Sequence, residues 1–471
     1  MLSRIFPSKK TDPELAPFRS GLVFGFFNAL TWQIGIGTPM VLFAERLGAT
    51  SAQVGLAYGF VFLLSPVQVV STALLPRYGY KRVMLGGWGT RSIFLAVPML
   101  LAVLCLGGGV QGWMVTALIW GVFMFCLCRA VGSASMTPWL YSILPPGARG
   151  RYFANDQFAS AIAGTTTLLA CAALFAGLPI YIALLVQYVI ALTGSTLSYF
   201  ALKKLPDAPH PEAISLRTVV RDTPRHLFKP STFRRYLWLS VWFFLISTPI
   251  PPFSAYFLKV GAHLPAGQIM LFEVLRFFGV ITAAALIRRS IDGTGAKTFM
   301  LAGYGLYVVV ALLWLLFLRT GFGGVTGIYF AYFLLGLGAT CWTVANLNYL
   351  PKVVPVAERP LMVTLHSAVV SFMGGCAAIA WGWAIKSDDV VGGPAVNRVA
   401  FQVFFLFVLL STVVLAVLCA RLPEDRTLKV EPLMIGNALL RPFRAVTALI
   451  SLIDLQAFDR TRSSSEGDHK P

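Results

Sequence analysis

Long apolar runs fill this 471-residue chain, and short polar segments separate them. Most runs reach about 20 residues, the length that an α-helix needs to cross the hydrocarbon core of a bilayer. The pattern predicts an all-α polytopic membrane protein with twelve spanning helices in two groups of six. The first six are predicted at 20–44, 52–75, 83–106, 112–139, 154–177 and 180–202. The second six are predicted at 236–258, 267–288, 298–318, 325–350, 361–385 and 399–420.

A long polar stretch, Lys203–Arg235, lies between the two groups of apolar runs. It contains eight Lys or Arg residues against three acidic residues. We therefore expect four parts: a six-helix bundle over 1–202, a linker over 203–235, a second bundle over 236–426 and a tail over 427–471. The linker is expected to hold a short surface helix near 216–220.

The two ends of the chain are polar but not alike. No apolar run precedes residue 20, so we expect no cleavable signal peptide. In the tail, apolar residues at helical spacing over 433–458 predict an amphipathic helix on the inner membrane face, in contact with lipid. The last stretch, 461–471, is predicted to be disordered.

Composition and charge narrow the class of protein. Apolar residues make up 57% of the chain and charged residues 12%. A soluble domain could not bury that much apolar surface around one core. The net charge of +19 would fit nucleic-acid binding, yet the basic residues are unevenly placed. With the N-terminus inside, 30 Lys and Arg fall on inner segments and five on outer loops. This bias predicts a protein of the cytoplasmic membrane with both termini in the cytoplasm. It also accounts for the positive net charge without nucleic-acid binding.

The chain offers little scope for enzyme or cofactor chemistry. All seven cysteines lie in or at the ends of apolar runs, which indicates neither disulfides nor a zinc site. No Ser–His–Asp or His-Glu-x-x-His arrangement is visible. The stretch Asp292–Thr298 looks phosphate-binding, but Ala296 stands where a Walker A loop needs Gly. We expect no enzyme, no cofactor and no metal.

The two halves of the chain echo each other at predicted inner turns. Pro76-Arg-Tyr-Gly-Tyr-Lys81 follows the second span, and Asp292-Gly-Thr-Gly-Ala-Lys297 follows the eighth. Leu-Pro followed by Arg also recurs, after the fourth span at 144–151 and after the tenth at 350–359. Such internal duplication is typical of transporter folds.

These features resemble the major facilitator superfamily, whose turn between the second and third spans reads G-x-x-x-D-R-x-G-R-K. Arg77, Gly79 and Lys81 match it, whereas Thr72 and Pro76 replace the first Gly and the Asp. The resemblance covers about residues 15–425. It implies a monomeric secondary transporter that moves a small solute by alternating access. It also implies gating motifs at the inner turns: Arg77, Gly79, Lys81, Arg149, Arg151, Asp156, Asp292, Gly295 and Lys297.

The resemblance also implies which residues line the transport pathway, because members of this family line it with spans 1, 4, 7 and 10. The candidates on these spans are Asn28, Trp32, Gln33, Arg129, Trp242, Trp342 and Asn346. The pattern Arg129-Ala-Val-Gly-Ser-Ala-Ser partly matches proton-coupled members, which suggests H⁺ as the coupling ion. For each Trp, a packing or interfacial role remains an equal alternative.

Charged residues inside predicted spans need a partner or a cavity. Glu273 and Arg276 are three residues apart, hence on one helix face, and form either a substrate site or a self-neutralised pair. Arg129 either holds an anionic solute, tunes the pKa of an acid that carries protons, or bonds to backbone carbonyls of a broken helix. Asp156 is expected to form an inner ion pair or to favour a helix N-terminus. Arg91 is expected to reach the inner surface.

Two further expectations complete the sequence-based picture. His366 lies in the inner third of its span and is expected to form a helix-to-helix hydrogen bond. The apolar cavities expected of the fold and the few acids within spans leave a second function open. In that alternative, the chain is a non-transporting assembly or binding factor with the same fold.

Overall fold

The computed structural model describes residues 12–49, 51–211, 221, 223–225, 227–262, 264, 266–288, 291–320, 324–384 and 398–423. Within these ranges the chain is helical and contains no strand. The expected surface helix near 216–220, the amphipathic helix at 433–458 and the terminal segment 461–471 lie outside the described residues. The described part therefore concerns the apolar body of the chain.

The helices of the first part of the chain cover almost all of its apolar runs. They are α1 (Arg19–Gly35), α2 (Thr38–Arg46), α3 (Ser51–Leu63), α4 (Pro66–Ser71), α5 (Leu75–Ile93), α6 (Ala96–Gly108), α7 (Trp113–Ile143), α8 (Arg149–Gly177) and α9 (Ile180–Lys203). Single-turn 3₁₀ helices lie at Ala16–Phe18, Thr72–Leu74 and Pro146–Ala148.

The second part of the chain continues the same way after the polar stretch. Its helices are α10 (Thr232–Ser247), α11 (Ile250–Tyr256), α12 (Ala266–Ile287), α13 (Ile291–Thr294), α14 (Ala296–Thr320), α15 (Gly324–Val353), α16 (Arg359–Ala384) and α17 (Arg398–Ala420). A π-helix at Phe257–Gly261 extends α11.

Proline and glycine explain where apolar runs break into shorter helices. Pro39 and Pro66 sit at the first turns of α2 and α4, where a missing N–H costs nothing. Pro249 stands just before α11, at the break that follows α10. Gly79 interrupts α5 with φ +74° and ψ 164°, a conformation that essentially only glycine adopts. The chain can therefore reverse direction at Gly79, between two apolar runs.

The described helices are those of a multi-pass membrane protein. Nine helical stretches in the described ranges are long and apolar enough to cross a membrane, among them one of 56 residues, Gln53–Gly108. Large apolar side chains such as Leu100, Trp120, Phe200 and Leu410 are about half exposed, as expected of surfaces that face lipid.

Two helices bring the two parts of the chain together. Helix α8 packs against α1, α12 and α15. Helix α16 packs against α3, α4 and α7. Close approach helps the packing of α12 on α15, because a Cβ at Gly336 would lie 1.9 Å from the carbonyl oxygen of Arg276. These contacts leave an interior space between α1, α3, α7, α8 and α16.

Candidate solute-binding cavity

The interior space is a cavity of about 380 Å³, within the range of small-molecule sites. Helices α1, α3, α4, α5, α7 and α8 supply most of its wall, and α15 and α16 close one side. Polar side chains are frequent in this wall: Asn28, Gln68, Trp88, Arg129, Ser133, Thr137, Asp156, Ser160, Ser367 and Ser371. A cavity of this kind can hold a polar solute away from lipid.

Arg129 brings a positive charge to the cavity from the middle of α7. Its Nη2 donates to the Val61 carbonyl over 3.2 Å, and its guanidinium lies 5.0 Å from the centre of the Trp32 ring. Its Nε atom is buried and has no hydrogen-bond partner among the described residues. The carbonyl contact fits the structural interpretation of Arg129, whereas the unpartnered nitrogen and the cavity fit the binding interpretation.

Asn28 is held by two donors from α5. Arg91 Nη2 donates to Asn28 Oδ1 over 2.7 Å, and Trp88 Nε1 donates to the same oxygen over 3.3 Å. The Arg91 guanidinium lies 4.2 Å from the Trp88 ring centre and 5.0 Å from that of Phe125. Arg91 is only 1% exposed, so the expectation that it reaches the inner surface is wrong. The Asn28 amide and the rings of Trp88 and Phe125 therefore stabilise the positive charge of Arg91 in place of water.

Asp156 lines the cavity, and among the described residues it does not form the expected inner ion pair. Arg151 instead pairs with Asp12, at 3.1 Å, and with Glu14. Asp156 is seven residues into α8, about 10 Å from the helix start, and so too far in to favour the helix N-terminus. Gly25 makes room for it, since a Cβ at Gly25 would lie 2.1 Å from Asp156 Oδ1.

Glu273 and Arg276 lie outside the cavity wall. Arg276 Nε and Glu273 Oε2 are 2.7 Å apart, and the two side chains are 26% and 28% exposed. The Arg276 guanidinium also lies 5.0 Å from the Phe277 ring centre. The arrangement is that of a self-neutralised pair on one helix face, the second of the two interpretations drawn from the sequence.

The remaining lining candidates are dispersed. Trp242 is 42% exposed, and Gln33 lies against α8 near Gly164. Trp342 is buried, stacks on Phe243 with ring centres 4.5 Å apart and donates to the Tyr304 hydroxyl over 3.0 Å. Asn346 accepts a hydrogen bond from the Tyr236 hydroxyl. None of these four side chains belongs to the cavity wall.

Among the described residues, no hydrogen bond joins the His366 Nε2 atom to a neighbouring helix. The His366 ring stacks on Tyr236 with centres 5.5 Å apart, and its Nε2 atom is buried without a partner among the residues described. Stacking on a neighbouring helix therefore takes the place of the expected bond.

The inner-turn residues form two similar sets of contacts. Lys81 Nζ donates to the Leu205 carbonyl over 2.8 Å, and Lys297 Nζ donates to the Leu422 carbonyl over 2.7 Å. Gly79 and Gly295 both have positive φ, +74° and +92°. The Arg77 guanidinium lies 5.3 Å from the Tyr78 ring centre. The side chain of Asp292 lies outside the described residues.

The arginines of the second pair of inner turns also behave alike. Arg149 Nη2 donates to the Tyr141 carbonyl over 2.6 Å, and Arg359 Nη2 donates to the Pro351 carbonyl over 3.3 Å. Each arginine thus reaches back eight residues to the end of the preceding long helix. There it satisfies a carbonyl that helix geometry leaves unpaired.

Sequence reasoning missed several hydroxyl groups in the cavity wall. Ser133 and Thr137 lie one and two turns after Arg129 on the same face of α7, and Ser160 lies one turn after Asp156 on α8. A search for polar residues at spacings of three and four could have found this face. In the described ranges there is also no group of three His, Cys, Asp or Glu side chains placed to hold a metal ion.

Neither a protein-family model nor a curated protein matches the sequence. Solved structures do match it in fold. The proton:xylose symporter XylE aligns with 86% of this chain and 94% of its own at TM-score 0.63 and 13% identity. The Escherichia coli fucose:proton symporter FucP aligns with 87% and 99% at TM-score 0.64 and 12% identity. A bacterial homologue of the iron transporter ferroportin, in an outward-facing state, aligns with 87% and 99% at TM-score 0.61 and 16% identity. The chain therefore has the fold of the major facilitator superfamily transporters.

Proposed function

We propose that this chain is a secondary transporter that moves a small solute across a membrane by alternating access. The observation that carries the proposal is the cavity, which lies inside a transporter fold and is lined by Arg129 and Asp156. Charged side chains at membrane depth are costly, and they are typical of substrate and ion pathways.

Twelve spanning segments are obtained when the longest of the nine stretches is counted as two and two further helical segments are added. We count the 56-residue stretch Gln53–Gly108 as two spans because Gly79 interrupts the helix with a non-helical conformation. Helix α12 adds one span, and the broken pair α1–α2 adds another. We propose that these twelve form bundles over 1–202 and 236–426, with the linker 203–235 between them and the tail after 427.

The paired inner contacts support an internal repeat between these bundles. In each half, the lysine that follows the second span of that half donates a hydrogen bond to a backbone carbonyl just after its sixth span. These bonds join Lys81 to Leu205 and Lys297 to Leu422. In each half a glycine of positive φ stands two residues before that lysine. Equivalent turns in equivalent places are what two related rocking bodies require.

Alternating access needs contacts between the halves that can break. Tyr141 donates its hydroxyl to the Leu347 carbonyl over 2.7 Å, and Thr364 donates to the Ala134 carbonyl over 3.1 Å. Ser65 donates to the Ala368 carbonyl over 3.2 Å. Each such bond contributes about 0.5–1.5 kcal/mol net, so a few of them can hold one state without locking it.

The membrane, the orientation and the coupling ion are part of the proposal. The 30-to-5 distribution of basic residues supports a cytoplasmic membrane with both termini inside. We propose H⁺ as the driving ion because Asp156 is a carboxylate that cavity water can reach. We further propose that the protein acts as a monomer in contact with lipid, with a small solute as its substrate and no nucleic-acid partner.

Transport is tested by reconstituting the purified full chain into liposomes and following uptake from a broad panel of radiolabelled solutes. We expect at least one solute to accumulate when an inward proton gradient is applied, and the accumulation to collapse with a protonophore. Protein-free liposomes are the control. If no solute moves and a stable protein complex co-purifies with the chain, the alternative of an assembly factor replaces the transporter.

A further inference from the structure

We propose that the cavity binds a short zwitterion, whose carboxylate meets Arg129 and whose ammonium meets Asp156. This inference rests on the proposed transport function and names the class of its solute. Three observations support the proposal: the positions of Arg129 and Asp156 in the cavity wall, the partners of the other charged residues nearby, and the distance between Arg129 and Asp156.

The Arg129 end is suited to a carboxylate. Helix α7 carries the guanidinium into the cavity wall, where one of its nitrogens bonds Val61 and another is buried without a partner. No acidic side chain lies within ion-pair distance of Arg129 among the described residues. A solute carboxylate would supply the anionic partner that the Arg129 guanidinium lacks among the described residues.

The Asp156 end is suited to an ammonium. In the described part of the chain, no Lys, Arg or His is paired with this carboxylate. Gly25 lies against its oxygen, and the absence of a side chain there leaves room for the carboxylate in the cavity wall. An ammonium carries three donors and no acceptor, so it complements a carboxylate that only accepts.

The two charges lie about 10 Å apart along the helices by two routes. Arg129 contacts Trp32 and Asp156 contacts Gly25, and these partners are seven residues apart on α1, which spans about 10 Å. Counted from the inner turn, Arg129 is 14 residues before the end of α7 and Asp156 is seven residues after the start of α8. That difference of seven residues again corresponds to about 10 Å.

This spacing sets the length of the solute. Charge-assisted hydrogen bonds of about 2.8 Å at either end take up more than half of the gap. The rest suits an ammonium and a carboxylate that are separated by one to three carbons. Ser133, Thr137 and Ser160 line the space between and can bond the remaining polar atoms.

The other charges nearby are already matched. Arg91 is occupied by Asn28 and two aromatic rings, and Glu273 neutralises Arg276 outside the cavity. A simple anion would therefore leave Asp156 without a partner, and a simple cation would leave Arg129 without one. An uncharged solute would leave both charges without a partner of opposite charge.

Isosteric ligands test the proposal on the purified full chain without any substitution. Dissociation constants are measured by thermal stabilisation or calorimetry for α-aminobutyrate, 4-aminobutyrate, butyrate and butylamine. We expect at least one zwitterion to bind roughly 10- to 100-fold more tightly than butyrate and butylamine, since each of these lacks one charge-assisted contact. Equal binding of butyrate and the zwitterions, or no binding of either zwitterion, overturns the proposal.

Two variants then test which end of the solute lies at Arg129 and which lies at Asp156. Arg129→Gln should remove the advantage of 4-aminobutyrate over butylamine, and Asp156→Asn should remove its advantage over butyrate. Arg319→Gln and Asp207→Asn make the same chemical changes at exposed positions and should leave all four affinities unchanged. An Asp156→Asn protein that still prefers zwitterions contradicts the assignment.

The outcome for binding is separable from the outcome for transport. If a solute of another class binds and is taken up, the zwitterion proposal fails while the transporter stands. If zwitterions bind with the predicted preference but no flux occurs in liposomes, the site stands and the transport function fails.

Discussion

Two interior regions of the fold are built in opposite ways. The cavity wall on α1 and α7 carries Gly25, Asn28 and Arg129 around an open space. On α10, α14 and α15, an aromatic cluster of Phe243, Tyr304, Tyr307 and Trp342 fills the space between the helices. Phe243 lies at its centre, with the other three ring centres 4.5–5.5 Å away.

The difference teaches how one architecture can divide its tasks. Small and polar side chains leave a space that water or a solute can enter, whereas four buried aromatic rings leave none and stiffen the helices around them. We infer that the first half of the chain carries the binding chemistry. The second half then supplies a rigid body against which the first can move.

The largest expected effect comes from opening the aromatic cluster. Trp342→Ala should destabilise the protein by about 3–5 kcal/mol, because it removes a buried ring and its bond to Tyr304. Thermal unfolding of the purified protein measures this loss. Met136→Ala, in the cavity wall, should cost much less because that side chain already borders a space. Equal losses would mean that the two regions are packed alike.

The inner turns of both halves should be destabilised by substitution, because the difference between the two regions is confined to the interior. Gly79→Ala and Gly295→Ala each force a side chain into a positive-φ conformation and should each cost about 1–3 kcal/mol. At Gly79 the new Cβ would also lie 2.6 Å from His210 Nε2, so the imidazole must move.

Thermal unfolding of the two glycine variants is compared with that of Gly86→Ala. Gly86 has nothing within 4 Å of its would-be Cβ, and its substitution should be neutral or slightly stabilising. A large loss at one turn and none at the other would contradict the proposed equivalence of the halves.

Much of this fold could be predicted from the sequence because a bilayer imposes a simple length rule. Apolar runs separated by Pro, Gly and basic residues marked the helices, and Gly79 with Lys81 and Gly295 with Lys297 marked the turns. The long stretch Gln53–Gly108 shows the same, because the turn at Pro76–Lys81 separates two predicted spans there and Gly79 interrupts the helix within that turn.

The site was harder to predict because hydropathy does not show which way a helix faces. Arg129 and Asn28 were expected near the pathway and do line the cavity. Trp342 and Asn346 have the same polar character, yet they face neighbouring aromatic residues. The sequence places Asp156 at the inner gate because it is near Arg151 in sequence, whereas helix geometry carries it about 10 Å from the start of α8. Only the packing of α8 against α1 decides its place.

The smallest expected effect concerns the space beside Asp156. Gly25→Ala places a methyl group 2.1 Å from the present position of Asp156 Oδ1, so the carboxylate must shift. We expect 4-aminobutyrate to bind about tenfold more weakly, which corresponds to about 1.4 kcal/mol, while the affinity for butyrate stays unchanged. Calorimetry on the folded variant measures both constants. An unchanged affinity for 4-aminobutyrate would show that the ammonium does not sit at Asp156, and an equal loss for butyrate would show that the methyl group blocks the cavity as a whole.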